Sequence, residues 1–482
     1  MNKSKIFLFT IAVAFVSLAA QCNKKGNPGN GTTPPPATPA AADLNPEVWI
    51  TKADQSALLQ KTDSKANVAS AGYPTITIDS SKQYQTIDGF GYTLTGGSAV
   101  LINQLPADQK TALLNELFGK GDNSIGVSYI RLSIGASDLD SVVFSYNDLP
   151  TGQTDITQSK FSLQPDKTNL IPILKSIIAI NPDLKIIATP WSPPVWMKDN
   201  NNSKGGSLKP EYYDSYAAYF VKYIQGMQGE GINITAITPQ NEPYHPGNNP
   251  SMYMTSVMQR DFIKNSLGPA FAKNNISTKI VVYDHNLDKP LYADTIYQDA
   301  AASKYVDGAA FHLYAGDVSA MGQLHERFPD KNLYFTEQWT GSTGTFAGDL
   351  LWHVKNVIIG TVNNWSKSAL EWNLANDPLY QPHTPGGCTQ CKGALTINNP
   401  TVTRNVSYYI IAHASKFVPA GSRRIESSQV SGLTNVAFIT PSGGKVLILL
   451  NENNAAASFN LQHGNKKALL TIPGSAVMTL RF

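Results

Sequence analysis

Two glutamates stand at the ends of short apolar runs that are typical of β-strands. Glu242 follows the run Ile234–Pro239, and Glu337 closes the run Asn332–Glu337. Hydrolysis of an acetal needs two carboxyl groups, because one must protonate the leaving oxygen while the other attacks the anomeric carbon or activates water. A single glutamate in such a place is usually a solvated loop residue. Two of them at matching strand ends indicate a site for glycosidic bond hydrolysis.

Polar and aromatic side chains accompany both glutamates. Asn241 is placed to hydrogen-bond a sugar 2-hydroxyl, a contact that strengthens in the transition state. The Tyr314 hydroxyl can keep Glu337 ionised by donating a hydrogen bond. His312 alone fits a structural histidine as well as a site residue. Aromatic rings suit the apolar faces of pyranoses, with core packing as the alternative. The tryptophans at these strand ends are Trp191, Trp196, Trp339 and Trp372.

These side chains need a scaffold that gathers several strand ends. From residue 85 to residue 374, short β-rich runs alternate with helix-like segments, which predicts an α/β fold, a (β/α)8 barrel. Its active site is expected at the C-terminal strand ends. Helical patterns are clear over Pro106–Phe118, Leu170–Ile180 and Tyr212–Met227. The predicted strands are Gly89–Thr95, Val127–Ile134, Leu184–Thr189, Ile234–Pro239, Lys279–Tyr283, Gly308–Tyr314, Asn332–Glu337 and Ala369–Leu374.

Outside the barrel the pattern changes to short strands separated by turn residues. This pattern predicts an antiparallel β-sandwich beside the barrel, formed by strands from both ends of the chain. We place the N-terminal contribution at residues 46–84, the barrel at 85–415 and the C-terminal sandwich at 416–482. The predicted outer strands are Thr75–Ile78, Val436–Ile439, Val446–Leu450, Ala468–Ile472 and Ala476–Phe482.

Residues 1–22 have the pattern of an export signal. Two lysines precede an apolar stretch from Ile6 to Ala20, which is too short to span a membrane. Cys22 follows as at a bacterial lipoprotein cleavage site, where the cysteine is lipidated, although Gln21 replaces the usual small residue. Residues 23–45 form a Pro-, Gly- and Thr-rich tether. The sequence therefore predicts a cell-envelope lipoprotein that contacts the membrane through its anchor, with secretion as the alternative.

The composition limits the partners. The 482-residue chain is 42% hydrophobic and 15% charged, which indicates a packed protein. A formal net charge of +3 without a dense basic run gives no sign of nucleic-acid binding, and we expect a monomer.

Cys388 and Cys391 predict a local disulfide in an exported protein. A zinc site is the alternative, although His383 is the one further ligand nearby in sequence.

Several segments together resemble glycoside hydrolase family 30, the group of glucosylceramidases, β-1,6-glucanases and related β-glycosidases. The resemblance extends over about residues 84–425, with the motifs in the family's order. The segments that carry it are Ile87–Gly91, Arg131, Ser137–Asp138, Ala188–Lys198, Asn241–Pro243, Ala310–Tyr314, Phe335–Glu337, Trp372–Leu374 and His413–Ile425.

The resemblance implies a retaining β-glycosidase without a metal or organic cofactor. Glu242 would be the general acid/base and Glu337 the nucleophile, with carboxyl groups about 5–5.5 Å apart. The leading expectation is a β-1,6-glucanase acting on β-glucan. A glucosylceramidase-type enzyme and other β-glycosidases (for xylosides or fucosides) are alternatives, and a non-catalytic carbohydrate-binding lipoprotein is one from another class. The expected substrate-binding residues are Asp138, Trp191, Asn241, His312, Tyr314, Trp339 and Trp372.

Two positions depart from the family pattern. The first strand ends Thr95-Gly96, where the family commonly has Thr-Asp, and Leu313 replaces the tryptophan of a His-Trp-Tyr sequence. Both changes concern substrate recognition, and neither changes the two glutamates. They therefore bear on the choice of sugar more than on the mechanism.

Overall fold

A computed structural model describes residues 43–62 and 66–482 of the chain. The predicted export signal, the lipidation site at Cys22 and nearly all of the tether lie outside these residues. Within them, no helix has both the length and the apolar character needed to cross a membrane.

Strands and helices are numbered in chain order over the described residues. The strands are β1 (Glu47–Lys52), β2 (Gln60–Thr62), β3 (Thr75–Thr86), β4 (Gly89–Thr93), β5 (Tyr129–Ser133), β6 (Lys185–Thr189), β7 (Ala236–Ile237), β8 (Lys279–Asn286), β9 (Val306–His312), β10 (Asn332–Glu337), β11 (Thr340–Gly341), β12 (Ser366–Asn373), β13 (Ala375–Asn376), β14 (Cys391–Lys392), β15 (Leu395–Asn398), β16 (Thr401–Arg404), β17 (Arg423–Ser427), β18 (Leu433–Ile439), β19 (Lys445–Asn451), β20 (Ala457–His463), β21 (Lys466–Ile472) and β22 (Ala476–Arg481).

The helices follow the same numbering. The α-helices are α1 (Gly96–Asn103), α2 (Ala107–Phe118), α3 (Leu170–Ile180), α4 (Tyr213–Gly229), α5 (Ser256–Phe262), α6 (Gly268–Lys273), α7 (Leu291–Tyr297), α8 (Ala300–Ser303), α9 (Ser319–Arg327), α10 (Phe346–His353), α11 (Thr361–Asn363) and α12 (Val406–Ser415). Two π-helical segments, Ile263–Leu267 and Val354–Gly360, continue α5 and α10.

The strands β4 to β10 and β12 form a closed parallel barrel, which confirms the predicted fold class. Consecutive barrel strands are neighbours, and the pairing of β12 with β4 closes the circle. The strand Asn332–Glu337 and the helix Leu170–Ile180 have the predicted bounds. In contrast, β8 continues past the predicted end at Tyr283 as far as Asn286.

An apolar layer fills the barrel interior and supports a polar layer above it. Side chains two positions apart on a strand share one face. The apolar layer consists of Tyr129, Ile187, Ala236, Val281, Ala310, Tyr334 and Leu370. Two positions further along their strands come Arg131, Thr189, Thr238, His312, Thr336 and Trp372. The alternation that builds the core therefore also brings polar groups together near the C-terminal strand ends.

Strand β8 breaks this alternation. Tyr283 and Asp284 have φ values of 75° and 67°, and the pairing with β9 shifts between Tyr283 and His285. A left-handed residue other than glycine costs about 1–3 kcal/mol, and such residues concentrate at functional sites. Tyr283 stacks on Tyr292, with ring centroids 4.7 Å apart. The Asp284 carboxylate points into the barrel and lies 2.8 Å from the Arg131 guanidinium. The shift in pairing therefore adds a carboxylate to the polar layer.

Strands from both ends of the chain join in one nine-stranded sheet beside the barrel. Its strand order is β2-β1-β22-β19-β18-β17-β3-β20-β21, which confirms a side domain built from both chain ends. Neighbouring strands are antiparallel as predicted, except that β3 and β20 pair in parallel. In β19, Leu447 and Leu449 belong to the sandwich core, whereas Val446 and Ile448 pack into the core shared with the barrel. Both faces of β19 are therefore buried, which explains its unbroken apolar run.

The imidazole of His413 joins the barrel to the sandwich. His413 lies in α12, with Nδ1 2.9 Å from Thr479 Oγ1 and Nε2 2.8 Å from Thr51 Oγ1. Thr51 belongs to β1 and Thr479 to β22, so one side chain connects three elements. Burial lowers the pKa of His413 to about 3, and the folded protein therefore holds it neutral at ordinary pH.

We predict that His413 makes the fold sensitive to acid. The unfolded chain binds this proton near pH 6.5 and the folded chain only near pH 3, so stability is complete above pH 6.5 and is lost as pH falls towards 3. Between pH 7 and pH 5 this loss amounts to about 2 kcal/mol. Urea unfolding at pH 7 and pH 5 measures the free energy of unfolding. Between these pH values it should fall less for His413→Gln than for wild type. Equal falls would contradict the prediction.

Candidate active site

A cleft of about 340 Å³ opens at the C-terminal ends of the barrel strands and contains both predicted glutamates. Glu242 follows β7 and Glu337 ends β10, and His312 lies fully buried beside them. A larger cavity of about 770 Å³ around Trp49 and Arg481 contains neither glutamate. The residues lining the cleft are Asp138, Trp191, Asn241, Glu242, His245, Asn248, His285, Asn286, Tyr314, Glu337, Trp339, Trp372, Cys388 and Cys391.

The two glutamates lie close enough to act on one sugar ring. A carboxylate oxygen of Glu242, a carboxylate oxygen of Glu337 and a ring nitrogen of His312 all lie within 4.8 Å of one another. Retaining glycosidases hold their two carboxyl groups about 5–5.5 Å apart, whereas inverting enzymes need about 6.5–9.5 Å to admit a water molecule. An oxygen pair within 4.8 Å is closer than the separation that inverting enzymes need.

The same three groups offer donor atoms of the types that bind metal ions. However, each is already engaged by other protein groups. The Arg131 guanidinium lies 2.5 Å from Glu337, and its positive charge opposes a cation at that carboxylate. His312 uses both ring nitrogens on carboxylates, towards Glu242 and Asp284. The arrangement therefore fits carboxylate chemistry better than metal binding.

The guanidinium of Arg131 sits at the floor of the cleft without solvent exposure. Its Nη1 donates to Glu337 at 2.5 Å, and its Nη2 donates to Asn241 at 2.6 Å and to Asp284 at 2.8 Å. The rings of Trp191 and Trp372 lie 4.9 and 5.7 Å from its central carbon. One cation thus orients two carboxylates, an amide and two aromatic walls.

Asp284 is held as an anion below the reacting pair. Its carboxylate accepts hydrogen bonds from Arg131, Thr238 and Thr336 at 2.7 to 2.8 Å, and His312 Nε2 lies 3.1 Å away. Burial alone would raise the pKa of Asp284, but the charge of Arg131 and the hydrogen bonds from His312 and Thr336 hold it well below its ordinary value. Asp284 therefore fixes the orientation of the His312 ring.

His312 carries a proton towards Glu242. Its Nδ1 lies 3.2 Å from Glu242 Oε1, and Asp284 accepts from the opposite side of the ring. Burial alone would lower the pKa of His312, but the charge of Glu337 and the bonds to Asp284 and Glu242 raise it to about 9. The hydrogen bond from His312 lowers the pKa of Glu242 against the effect of burial. One proton therefore lies in the hydrogen bond between the two groups, and both shifts favour its position on His312.

Glu337 is held by donors on two sides. Arg131 donates to Oε2, and the Tyr314 hydroxyl donates to Oε1 at 2.9 Å. Burial raises the pKa of Glu337, and the charges of His312 and Arg131 and the Tyr314 hydroxyl oppose this rise. These contacts place a carboxylate in the cleft in one fixed orientation.

Backbone strain also fixes the position of Glu242. Glu242 has a φ of 42°, a left-handed value that a side chain such as glutamate rarely adopts. Its backbone N–H donates to the carbonyl of Asp284 at 3.0 Å, which joins the end of β7 to β8. The Gln240 side chain donates to the carbonyls of Trp191 and Asn241 and connects the loop after β6.

A disulfide-closed loop forms one wall of the cleft. Cys388 and Cys391 are paired, and both pack with Trp191, Trp372 and other apolar groups. The backbone N–H of Cys388 donates to Asp138 at 3.1 Å. Burial and the charge of Glu337 raise the pKa of Asp138 to about 7, partly offset by this N–H. The loop therefore orients Asp138 towards the sugar-binding space.

The cleft brings together every substrate-binding residue expected from sequence, with His312 behind its wall. Sequence reasoning missed Asp284 and His285 and gave Arg131 no role in the site. The available signal was the polar sequence Asp284-His285-Asn286, which directly follows the apolar run of β8. Arg131 gave no comparable signal, because only the closed barrel shows which anions it meets.

We predict that Arg131→Met destabilises the protein by about 3–5 kcal/mol, because it leaves two buried carboxylates uncompensated. Adding Asp284→Asn should recover part of this loss, since one of the uncompensated charges disappears. Free energies of unfolding for both single variants and the double variant give the coupling. Strictly additive losses would show that the pair is not coupled.

Comparison with known proteins shows the family of the chain. The chain matches the glycosyl hydrolase family 30 TIM-barrel domain over residues 87–418 and the family 30 beta sandwich domain over residues 421–480. An endo-1,6-beta-D-glucanase of Aspergillus fumigatus is 33% identical over 421 residues, which cover 81% of this chain and 84% of that protein. Putative glucosylceramidase 2 of Caenorhabditis elegans is 33% identical over 79% of this chain and 77% of its own.

A solved structure extends the similarity to the whole architecture. The endo-beta1,6-glucanase BT3312 superposes with a TM-score of 0.85 at 37% identity, covering 91% of this chain and 99% of that one. Both domain models match in chain order, and together they extend from residue 87 to residue 480. The chain therefore belongs to glycosyl hydrolase family 30 and is a glycoside hydrolase.

Proposed function

We propose that this protein hydrolyses β-1,6-glucan by double displacement with retention of configuration. Glu242 is the general acid/base and Glu337 the nucleophile. The observation that carries the proposal is the pair of carboxylate oxygens within 4.8 Å at the ends of β7 and β10. Similarity to two endo-1,6-glucanases supports the choice of substrate. Hydrolysis of a glucosylceramide is the second candidate, favoured by the equally identical Caenorhabditis elegans relative.

In the first step Glu337 attacks the anomeric carbon and the glycosidic C–O bond breaks. The leaving oxygen takes its proton from Glu242, which draws on the proton shared with His312 at 3.2 Å. Arg131 and Tyr314 point Glu337 at the sugar and reduce its freedom to rotate. The product of this step is a covalent glycosyl-enzyme, and the leaving sugar carries the transferred proton.

In the second step water replaces the leaving sugar beside Glu242. Glu242 accepts a proton from this water while the water oxygen attacks the anomeric carbon, and the bond to Glu337 breaks. The two inversions together give retention. Because His312 lies between Asp284 and Glu242, the proton can return to the shared position after each cycle.

The sugar that is cleaved occupies the space beside Trp191, Trp372 and Asp138. The two rings lie 5.4 Å apart and form an apolar wall for a pyranose face, while Asp138 offers a carboxylate to its hydroxyls. Asn241 Oδ1 is engaged by Arg131, which leaves its amide N–H groups for the 2-hydroxyl. Trp339 extends the aromatic wall beside Glu337.

We also propose that the enzyme is a monomeric lipoprotein of the bacterial cell envelope. A lipid on Cys22 and the tether of residues 23–45 would hold the domains of residues 46–482 near a membrane surface. Labelling with a radioactive fatty acid tests the anchor. Loss of label in Cys22→Ser, with unchanged activity, is the expected result, and label that persists would contradict it.

The test of function follows the products of β-1,6-glucan by proton NMR from the earliest minutes. Short oligosaccharides that appear first as the β-anomer support endo cleavage with retention. First-formed α-anomer would overturn the mechanism. No release from the glucan would remove that substrate and favour glucosylceramide, which is assayed in parallel with micelles.

Two glutamine variants test the roles of the residues. Glu337→Gln should remove turnover but keep substrate binding, because the amide fits the same space without attacking. Glu326→Gln is the matched control, since Glu326 is exposed on α9, and its activity should equal that of wild type. Unchanged turnover in Glu337→Gln would show that the nucleophile is another group.

We predict that Tyr314→Phe moves the acid limb of the pH profile upward. The Tyr314 hydroxyl donates to Glu337 and so favours its ionised form, and removal raises the pKa of Glu337 further. The acid limb of kcat/KM should rise by about one pH unit. Tyr73→Phe, at an exposed tyrosine before β3, serves as the control. An unchanged limb in Tyr314→Phe would contradict the prediction.

A further inference from the structure

The side chain of His285 has a place in the cleft that the mechanism above does not use. It comes from the end of β8, lines the cleft and is 7% exposed. Among the described residues its ring makes no hydrogen bond: Nδ1 is a buried atom without a partner, and Nε2 is the nitrogen on the side of Glu242. Buried polar groups normally have partners, so an imidazole left without one in a substrate cleft points to a ligand contact.

The position of His285 relative to Glu242 defines that contact. His285 Nε2 lies 3.9 Å from Glu242 Oε1, which is too long for a hydrogen bond between them. A single oxygen atom can, however, lie at about 2.8–3.0 Å from both atoms at once. Because Glu242 must reach the glycosidic oxygen to protonate it, the oxygen that fits between the two side chains is the departing one.

We propose that His285 is a further catalytic residue, which donates a hydrogen bond from Nε2 to the leaving oxygen. The proposal rests on the proposed role of Glu242. His285 moves no proton: the C–O bond breaks, Glu337 bonds to the anomeric carbon, and the leaving oxygen takes its proton from Glu242. The second lone pair of that oxygen accepts from His285, which stabilises the negative charge that develops as the bond breaks.

The surroundings keep the imidazole neutral. Burial lowers the pKa of His285 to about 4, with Glu242 and Asp288 opposing and His312 and His245 supporting the shift. A neutral ring has one N–H donor, and Nε2 is the nitrogen that faces the cleft. His285 follows the left-handed residue Asp284, and its Nε2 lies on the side of the cleft that holds Glu242.

The proposal is tested by the dependence of rate on the leaving group in His285→Ala and His285→Gln. The leaving oxygens of β-1,6-glucan and alkyl β-glucosides are strongly basic and depend on stabilisation by the enzyme. With these substrates, kcat/KM should fall about tenfold or more in His285→Ala. The leaving group of 4-nitrophenyl β-glucoside is weakly basic, because its ring stabilises the negative charge. With this substrate, kcat/KM should fall less than about threefold. His285→Gln retains an N–H donor and should lie between wild type and His285→Ala.

The pH profile separates this role from an indirect one. If His285 acted only by setting the pKa of Glu242, its loss would shift the alkaline limb of kcat/KM. Since the ring is neutral at working pH, we expect that limb to stay in place. Equal losses on both classes of substrate, no loss on either, or a shifted limb would overturn the proposal.

The result for the wild-type enzyme is independent of this comparison. Wild-type inactivity on β-1,6-glucan would overturn the proposed substrate, and the His285 variants would then be compared on aryl and alkyl β-glycosides of the sugar that wild type does hydrolyse. Circular dichroism and the thermal midpoint of each variant establish that a lost rate is not lost folding.

Discussion

The buried guanidinium of Arg131 is the interaction on which the rest of the site depends. Asp284 and Glu337 are both almost inaccessible to solvent, and neither could remain charged there without a cation within hydrogen-bond distance. Arginine suits this position because its planar fork serves two carboxylates and an amide at once. The two anions that it stabilises have different places, since Glu337 lines the cleft whereas Asp284 orients His312.

The fold supplies this cation by ordinary barrel packing. Arg131 stands two residues beyond Tyr129, a member of the apolar layer, so the strand period of two places the charge directly above a dry core. The low polarity of that layer strengthens the ion pairs that it supports. The left-handed residues at Tyr283 and Asp284 cost stability, and the packed sandwich and barrel cores offset that cost elsewhere in the chain.

The sequence predicted those parts of the site that depend on local pattern. Glu242, Glu337 and the tryptophans follow apolar runs, and the period of these runs predicts both the barrel and the edge where the residues meet. The partners of Arg131 could not be predicted, because they lie at the ends of β8 and β10 and in the loop after β7. Asp284 and His285 were missed because the alternation of β8 breaks at Tyr283, where the pattern indicated that the strand had ended.

The charged groups around Glu337 differ from those around Glu242. This difference favours Glu337 as the nucleophile and Glu242 as the general acid/base. On one side a permanent cation and a phenol hydroxyl contact Glu337, so its anionic form is the one with fixed partners. On the other side Glu242 faces His312, which can share a proton with it, and the neutral ring of His285, and it has no arginine partner among the described residues. A nucleophile needs the first environment and an acid/base needs the second. Exchanging the two roles would require Glu337 to hold a proton beside a guanidinium before the first step, and the positive charge of Arg131 opposes that protonated form.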